Sequence, residues 1–345
     1  MINYICTVDV EAHRGYNPVS DLIYGIIDGK AYGLKLILGM FKRYEIKATF
    51  FVDFAEVNTW GKEVIQKVCE EIMAFGQDIQ IHLHPEHFGD KTREELSQYN
   101  YEEQKYMIGE CIKYYEDFVG KKPVAFRAGK FSANEDTLKA LNYYGIRIDS
   151  SYVKNNNWSK LNKIFNSVNK VEKYGELYEL PITMFKERFF NKVGTRFDKH
   201  YPLDLNAITK SELKEIILFH KSNQVRTLVS LMHSFSFIKR YGDDLNLKPN
   251  TYEVALFELF FQMIVEDQEI QSINMPEYLE KIENFVEESG ETFIASFWKS
   301  FWGIFLRYQK ASIRCKQFRK YFVAFYTLLI GGTSILIYLL WGVLK

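Results

Sequence analysis

The chain has 345 residues, 47% of them apolar and 16% aromatic, and its 44 basic and 44 acidic side chains balance formally. Such a length holds one large or two ordinary domains, and such an apolar content excludes a disordered polymer. Setting aside the seven cations beyond residue 306 leaves 37 basic against 44 acidic residues, so the body is mildly acidic and no nucleic-acid surface is expected on it.

From the first residues, β-rich runs alternate with helical ones. Strands are predicted at 4–8, 48–52, 78–83, 124–127, 146–149, 177–182 and 227–232. Residues 62–75 read as a helix because Val64, Val68 and Ile72 recur every fourth position and Gly76 supplies a stop. The helix after the fourth strand starts at Ser132 or Asn134, with Glu135 and Asp136 in its first turn. Alternation of this kind predicts a parallel sheet, open or closed, with functional groups at the C-terminal ends of its strands. Two insertions interrupt it. KNNNWSKLNKIFNSVNK, after the fifth strand, reads as an exposed excursion, and residues 185–210 are placed to cover the upper face of the sheet. Residues 250–265 and 276–288 read as two closing helices.

The C-terminal part has a different character. FVAFYTLLIGGTSILIYLLWGVL, residues 322–344, carries no charge. At ~1.5 Å per residue it is long enough for a ~30 Å hydrocarbon core, so a transmembrane helix is predicted. Tyr338 and Trp341 mark one end, and Arg307, Lys310, Arg314, Lys316, Arg319 and Lys320 precede the other, which puts the body on the cytosolic side. Between body and span, Phe293, Phe297, Phe301 and Phe305 form a stripe with Trp298 and Trp302, which we read as an amphipathic helix in the membrane interface rather than a core-facing one. The opening MINYICTVDVEAH has no basic n-region followed by an apolar core, so no export is expected. Cys6, Cys69, Cys111 and Cys315 show no paired spacing and fit reduced thiols.

The strand ends carry the chemistry. In DIQIHLHPEHF, Ile79, Ile81 and Leu83 share one face of a strand while Gln80, His82 and His84 share the other. The first strand ends in TVDVEAH, with Asp9 and Glu11 on one face; the fourth ends in FRAG, placing Arg127 at the rim; the seventh ends in LMHSFSF, with His233 and Ser234. One carboxylate and two imidazoles make an open site for a divalent metal, zinc above others. A second carboxylate can take a proton from water, a histidine can protonate a leaving amine, and an arginine can hold that carboxylate ionised.

The order TVDVE, ATFFV, HLHPEH, FRAG, DSS, LMHSFS resembles the polysaccharide deacetylase family, carbohydrate esterase family 4, over residues 1 to about 285. The resemblance implies a distorted seven-stranded (β/α) barrel and hydrolysis of an N-acyl group from a sugar. It implies Asp9 as catalytic base, Glu11 as metal-binding acid, His82 as first metal histidine, Arg127 as partner of the base and His233 as general acid. Two positions depart from the family pattern. Glu11 stands where an aspartate is usual, and the usual second histidine, four residues after the first, falls on Glu86. The third metal ligand is therefore His84 by strand geometry, Glu86 by family spacing, or His87.

The resulting organisation is a catalytic barrel at 1–288, an aromatic and basic juxtamembrane segment at 289–321 and a transmembrane helix at 322–344. The expected activity is a metal-dependent hydrolase removing an acetyl or formyl group from an amino sugar, lipid-linked or membrane-assembled, in surface-glycan biosynthesis. The competing class is an inactive membrane-anchored sugar-binding or scaffold protein with the same barrel. It should lack the base, the acid or a metal ligand, and none is missing from the sequence.

Overall fold

Two sets of residues alternate along the first strand, Tyr4, Cys6, Val8 and Val10 against Asn3, Ile5, Thr7 and Asp9, and the fold gives each set its own side of a curled sheet. The computed structural model describes residues 1–12, 19–154, 158–187, 199–240, 247–285 and 292–295. Its strands are β1 (Ile2–Val10), β2 (Ala48–Asp53), β3 (Asp78–Leu83), β4 (Ala125–Ala128), β5 (Ile148–Asp149), β6 (Glu172–Tyr174), β7 (Leu177–Glu179), β8 (Met184–Glu187), β9 (Lys199–Pro202), β10 (Thr227–His233), β11 (Ile270–Ser272) and β12 (Ile294–Ala295), besides short hairpin strands. The main sheet runs β10-β1-β2-β3-β4-β5-β7-β6, with β11 beside the start of β1. Every pairing in it is parallel except β6 with β7.

Helices cover the outer face: α1 (Leu34–Arg43), α2 (Lys62–Ala74), α3 (Tyr101–Val119), α4 (Glu135–Tyr143), α5 (Lys210–Ser222) and α6 (Thr251–Val265). Leu34, Ile37, Leu38 and Phe41 recur at helical spacing and bury one stripe of α1, where Phe41 meets Phe50 of β2 and Phe261 of α6 edge-on. Asn100 opens α3 with a reciprocal capping box to Glu103, and Gly120, at φ 74°, ends it in a conformation other residues resist. Asn134, rather than Ser132, caps α4 by accepting from the Thr137 N–H. The inner face encloses Ile5, Phe51, Ala125, Ile148, Tyr178, Val229 and Leu231.

All seven expected strands are present, and the structure corrects several details. In α2 the buried stripe is Ile65, Val68, Cys69 and Ile72, while Val64 is 37% exposed, because the helix turns its face one residue from the simple fourfold count. The strand expected at 177–182 stops at Glu179, since Pro181 has no N–H for a ladder. The closing helix expected from 276 is only Met275–Leu279, followed by a single turn at Ile282–Asn284. The excursion after β5 is anchored: Leu161 and Phe165 are buried, and the Phe165 carbonyl accepts from the Tyr152 hydroxyl. Phe293 to Ala295 do not begin a helix; Lys186 N–H donates to the Phe293 carbonyl, so the edge of β8 captures this segment as β12. The rest of the predicted juxtamembrane helix, the basic cluster, Cys315 and the span at 322–344 lie outside the described residues. Among the described residues no helix is long and apolar enough to cross a membrane. Cys6, Cys69 and Cys111 are free and buried.

The expected barrel does not close by a strand ladder. Between β7 and β10 the gap is bridged at Thr183, whose N–H donates to the Val229 carbonyl at 3.0 Å and whose Oγ1 accepts from the Val229 N–H at 2.9 Å. Leu203 extends the bridge, donating to the Thr183 carbonyl and accepting from Leu231 N–H. Thr183→Val keeps the shape but leaves the Val229 N–H without its acceptor, which should cost about 1–3 kcal/mol. In urea denaturation this appears as a lower midpoint with an unchanged slope.

Candidate functional site

The inner face turns polar toward the C-terminal strand ends. There β1 presents Thr7, Asp9 and Glu11, β3 presents His82 and then His84, β4 presents Arg127, and β10 ends in His233, paired in register with Asp9. Arg127 does not stand at the rim. It is fully buried, with its guanidinium 4.2 Å over the Phe51 ring. Its Nη1 donates to Asp9 Oδ1 at 2.6 Å and to Thr7 Oγ1 at 3.0 Å, its Nε to the Ser150 carbonyl and its Nη2 to Ser150 Oγ. The backbone carbonyl of the same residue accepts from His82 Nδ1 at 2.9 Å. That bond fixes the tautomer and leaves His82 Nε2 as the basic nitrogen.

His82 Nε2 lies 3.5 Å and His84 Nε2 2.6 Å from Glu11 Oε2. Burial pushes the Glu11 carboxyl up, but the two imidazoles beside it hold it well below the usual carboxylate range. Burial likewise disfavours a charged His84 ring, yet Glu11 holds its pKa well above the ordinary histidine value. The three side chains form an ion pair with an added imidazole, and one donor atom from each falls within 4.8 Å of the others. A divalent cation fits this set: the donors are one carboxylate and two imidazoles, His82 is oriented through its far nitrogen, and the charge a metal would replace is that of a single proton. Gly129 makes room for the His84 ring. A Cβ there would lie 2.6–2.7 Å from three atoms of the His84 ring.

Among the three candidates for third ligand, the structure brings only His84 to Glu11 and His82. Glu86 sits behind it, 3.4 Å from His84 Nδ1, and that imidazole overcomes burial to hold the Glu86 carboxyl down at about 2. His87 turns away to Asp53 and Glu56, forming a second buried acid-imidazole group. His233 stays half-buried, its ring stacked 4.9 Å from Phe235. Sequence reasoning missed Asp53, Glu56, Thr7, Ser150 and Gly129. Asp53 was findable, because it ends ATFFVD as Asp9 ends its own strand; Glu56, Ser150 and Gly129 act through contacts no sequence spacing announces.

Beneath Arg127, Asp149 and Glu179 are paired in register and fully enclosed. Asp149 accepts from Ser151 Oγ and Glu179 from Tyr152 N–H, while Asp149 Oδ2 and Glu179 Oε2 have no donor unless one proton lies between them. Burial pushes Asp149 up to about 6, against the hydrogen bonds and Arg127, and burial with the neighbouring Asp149 pushes Glu179 well above its usual range. A cavity of about 610 Å³ lined by Asn3, Arg226, Glu269 and Gln271 opens at the opposite end of β1 and holds none of the site groups.

Residues 28–148 match the sequence model of the polysaccharide deacetylase family. A peptidoglycan deacetylase-like protein of Gibberella zeae is 26% identical over 160 residues, 44% of either chain, so this chain spans less than half the length of that curated relative. A Mycobacterium smegmatis crystal structure assigned to the polysaccharide deacetylases aligns with a TM-score of 0.52 at 18% identity, over 82% of this chain and 91% of that one, a likeness of fold. A family 4 carbohydrate esterase pseudoenzyme from Bacillus anthracis aligns at TM-score 0.41 and 11% identity, over 85% and 69% of the two chains.

Two outcomes test this geometry. Gly129→Ala should push the His84 ring aside and weaken any divalent-cation binding at this set about 10–100-fold while thermal unfolding stays cooperative, as metal titration and calorimetry would show. For the acid pair, burial raises both carboxyls, Asp149 up to about 6 and Glu179 well above its usual range, whereas unfolded chains lose both protons near pH ~4. The stability these protons contribute is complete below the lower value and disappears as pH rises through the upper ones. Glu179→Gln supplies a permanent donor instead, so the stability of wild type relative to the variant should rise by at least about 1 kcal/mol between pH 7 and pH 5 in denaturant titrations.

Proposed function

We propose that this divergent member of the polysaccharide deacetylase family is a metal-dependent hydrolase that removes an acetyl or formyl group from the nitrogen of an amino sugar. The observation that carries the reading is the double role of Arg127, which holds the Asp9 carboxylate through its side chain and the His82 imidazole through its carbonyl. A base and a cation site are thereby fixed to one buried residue. An inactive binding barrel would have no use for that coupling.

Glu11, His82 and His84 are the residues that would hold the cation, and zinc suits their donors. When bound, the ion supplies Lewis-acid polarisation of the acyl carbonyl and lowers the pKa of water. Asp9 takes the proton of the attacking water, aimed by the charge-assisted bond from Arg127. His233, across the strand pair from Asp9 and on the half-buried side, gives a proton to the departing nitrogen as the carbon–nitrogen bond breaks. The products are a carboxylic acid and a free amine.

The uncharged run at 322–344 and the basic residues before it support a membrane-anchored enzyme with its barrel on the cytosolic side. An anchor gives no advantage on a freely diffusing sugar, whereas it concentrates the enzyme on one carried by a lipid. We therefore extend the proposal to a lipid-linked or membrane-assembled substrate in surface-glycan biosynthesis. Full-length protein in bilayers should release acetate or formate from an N-acylated lipid-linked amino sugar faster than from the corresponding sugar nucleotide. Equal rates on both would remove the lipid-linked reading and leave the hydrolase. Asp9→Asn should lower turnover by at least about 100-fold with metal content unchanged, because the amide cannot take the proton; loss of the metal in that variant would overturn the division between base and ligand.

A further inference from the structure

Asp53, Glu56 and His87 take no part in the chemistry above. We propose that they form a second divalent-cation site, beside the one at Glu11, His82 and His84. One donor atom from each lies within 4.8 Å of the others. Asp53 and Glu56 are each 1% exposed, and Asp53 Oδ2 and Glu56 Oε2 have no hydrogen-bond partner. Two interior carboxyl groups with an oxygen apiece left bare are costly unless a proton or a cation compensates them.

The imidazole favours the cation. His87 Nδ1 is engaged by Thr59 Oγ1 at 2.6 Å, which leaves Nε2 to face Asp53 Oδ2. Their separation of 3.8 Å is too long for a hydrogen bond. It suits two ligands of one ion, each ~2.0–2.2 Å from it, which sit about 3–4 Å apart. Access is no worse than at the first site, since His87 is 8% exposed, as are Glu11 and His84.

The other oxygens of the two acids bind the backbone that carries the first site. Asp53 Oδ1 accepts from His84 N–H at 3.4 Å, and Glu56 Oε1 from Ala12 N–H, next to Glu11, at 2.5 Å. Asp53 is also paired in register with His82. A cation at Asp53, Glu56 and His87 would thus stiffen the positions of both Glu11 and His84. Two carboxylates and one imidazole are a harder donor set than one carboxylate and two imidazoles, so the second site should accept manganese as well as zinc.

The test counts metal and needs no substrate. Full-length protein stripped with chelator, reloaded with zinc and freed of excess should retain two zinc ions per chain by mass spectrometric metal analysis. Glu56→Gln, His87→Ala and His82→Ala should each retain one, and the Glu56→Gln variant should lose the ion best replaced by manganese. A wild-type chain that saturates at one zinc, or a Glu56→Gln chain that still holds two, would overturn the proposal. Should His87→Ala fail to fold, Glu56→Gln alone decides, since the amide preserves the bond from Ala12. A failure of the hydrolase reading would appear as missing activity with both ions present.

Discussion

One buried cation organises the interior. The Arg127 guanidinium is enclosed, so its charge has no water and must be met by the protein: Asp9 supplies the counter-charge, Thr7 and Ser150 take further N–H groups, and Phe51 gives the flat face a π surface. These partners come from β1, β2 and the residues just after β5, while Arg127 itself lies on β4. Removing one partner of such a pair costs about 3–5 kcal/mol because the other charge stays buried and unmet. The strands around the interior are therefore held in one relative register by electrostatics as well as by their ladders.

That polar interior is possible because the other face of the same strands is largely apolar. Cys6, Val8, Phe50, Val52, Ile79, Ile81, Leu83 and Phe126 lie beneath the helices, and each fully buried aliphatic or aromatic side chain is worth about 1.5–3 kcal/mol relative to exposure. Helix packing carries the stability of the fold, and the inner face is free to hold Asp78 and Gln80 at one end and histidines at the other. The acid-imidazole groups then cluster where the strands end and the interior begins to open.

Glu11 shows how a departure from the pattern the sequence resembles is absorbed. A glutamate reaches one methylene further than the usual aspartate, and the partner it meets, His84, stands two residues after His82, just beyond β3, rather than four. Side-chain length and partner position differ together from the resembled pattern. The position four residues after His82 is taken by Glu86, which supports His84 from behind, and the space for the His84 ring depends on the absence of a Cβ at Gly129.

The sequence by itself determined the periodic part of this protein. Period-two alternation placed seven parallel strands and told which face of DIQIHLH would carry its histidines, and strand-end logic singled out Asp9, Glu11, His82, Arg127 and His233 as candidates. Those features are local: the strand's pleat fixes the face, and parallel crossover connections gather the ends. Tertiary structure alone decided that His84 rather than Glu86 or His87 joins Glu11, that Arg127 lies inside rather than at the rim, and that Thr183 bridges the gap a closed barrel would have filled with a ladder. Each of these turns on a contact between residues far apart in sequence, where burial, charge and the room left by a neighbouring side chain choose among alternatives that spacing treats as equal.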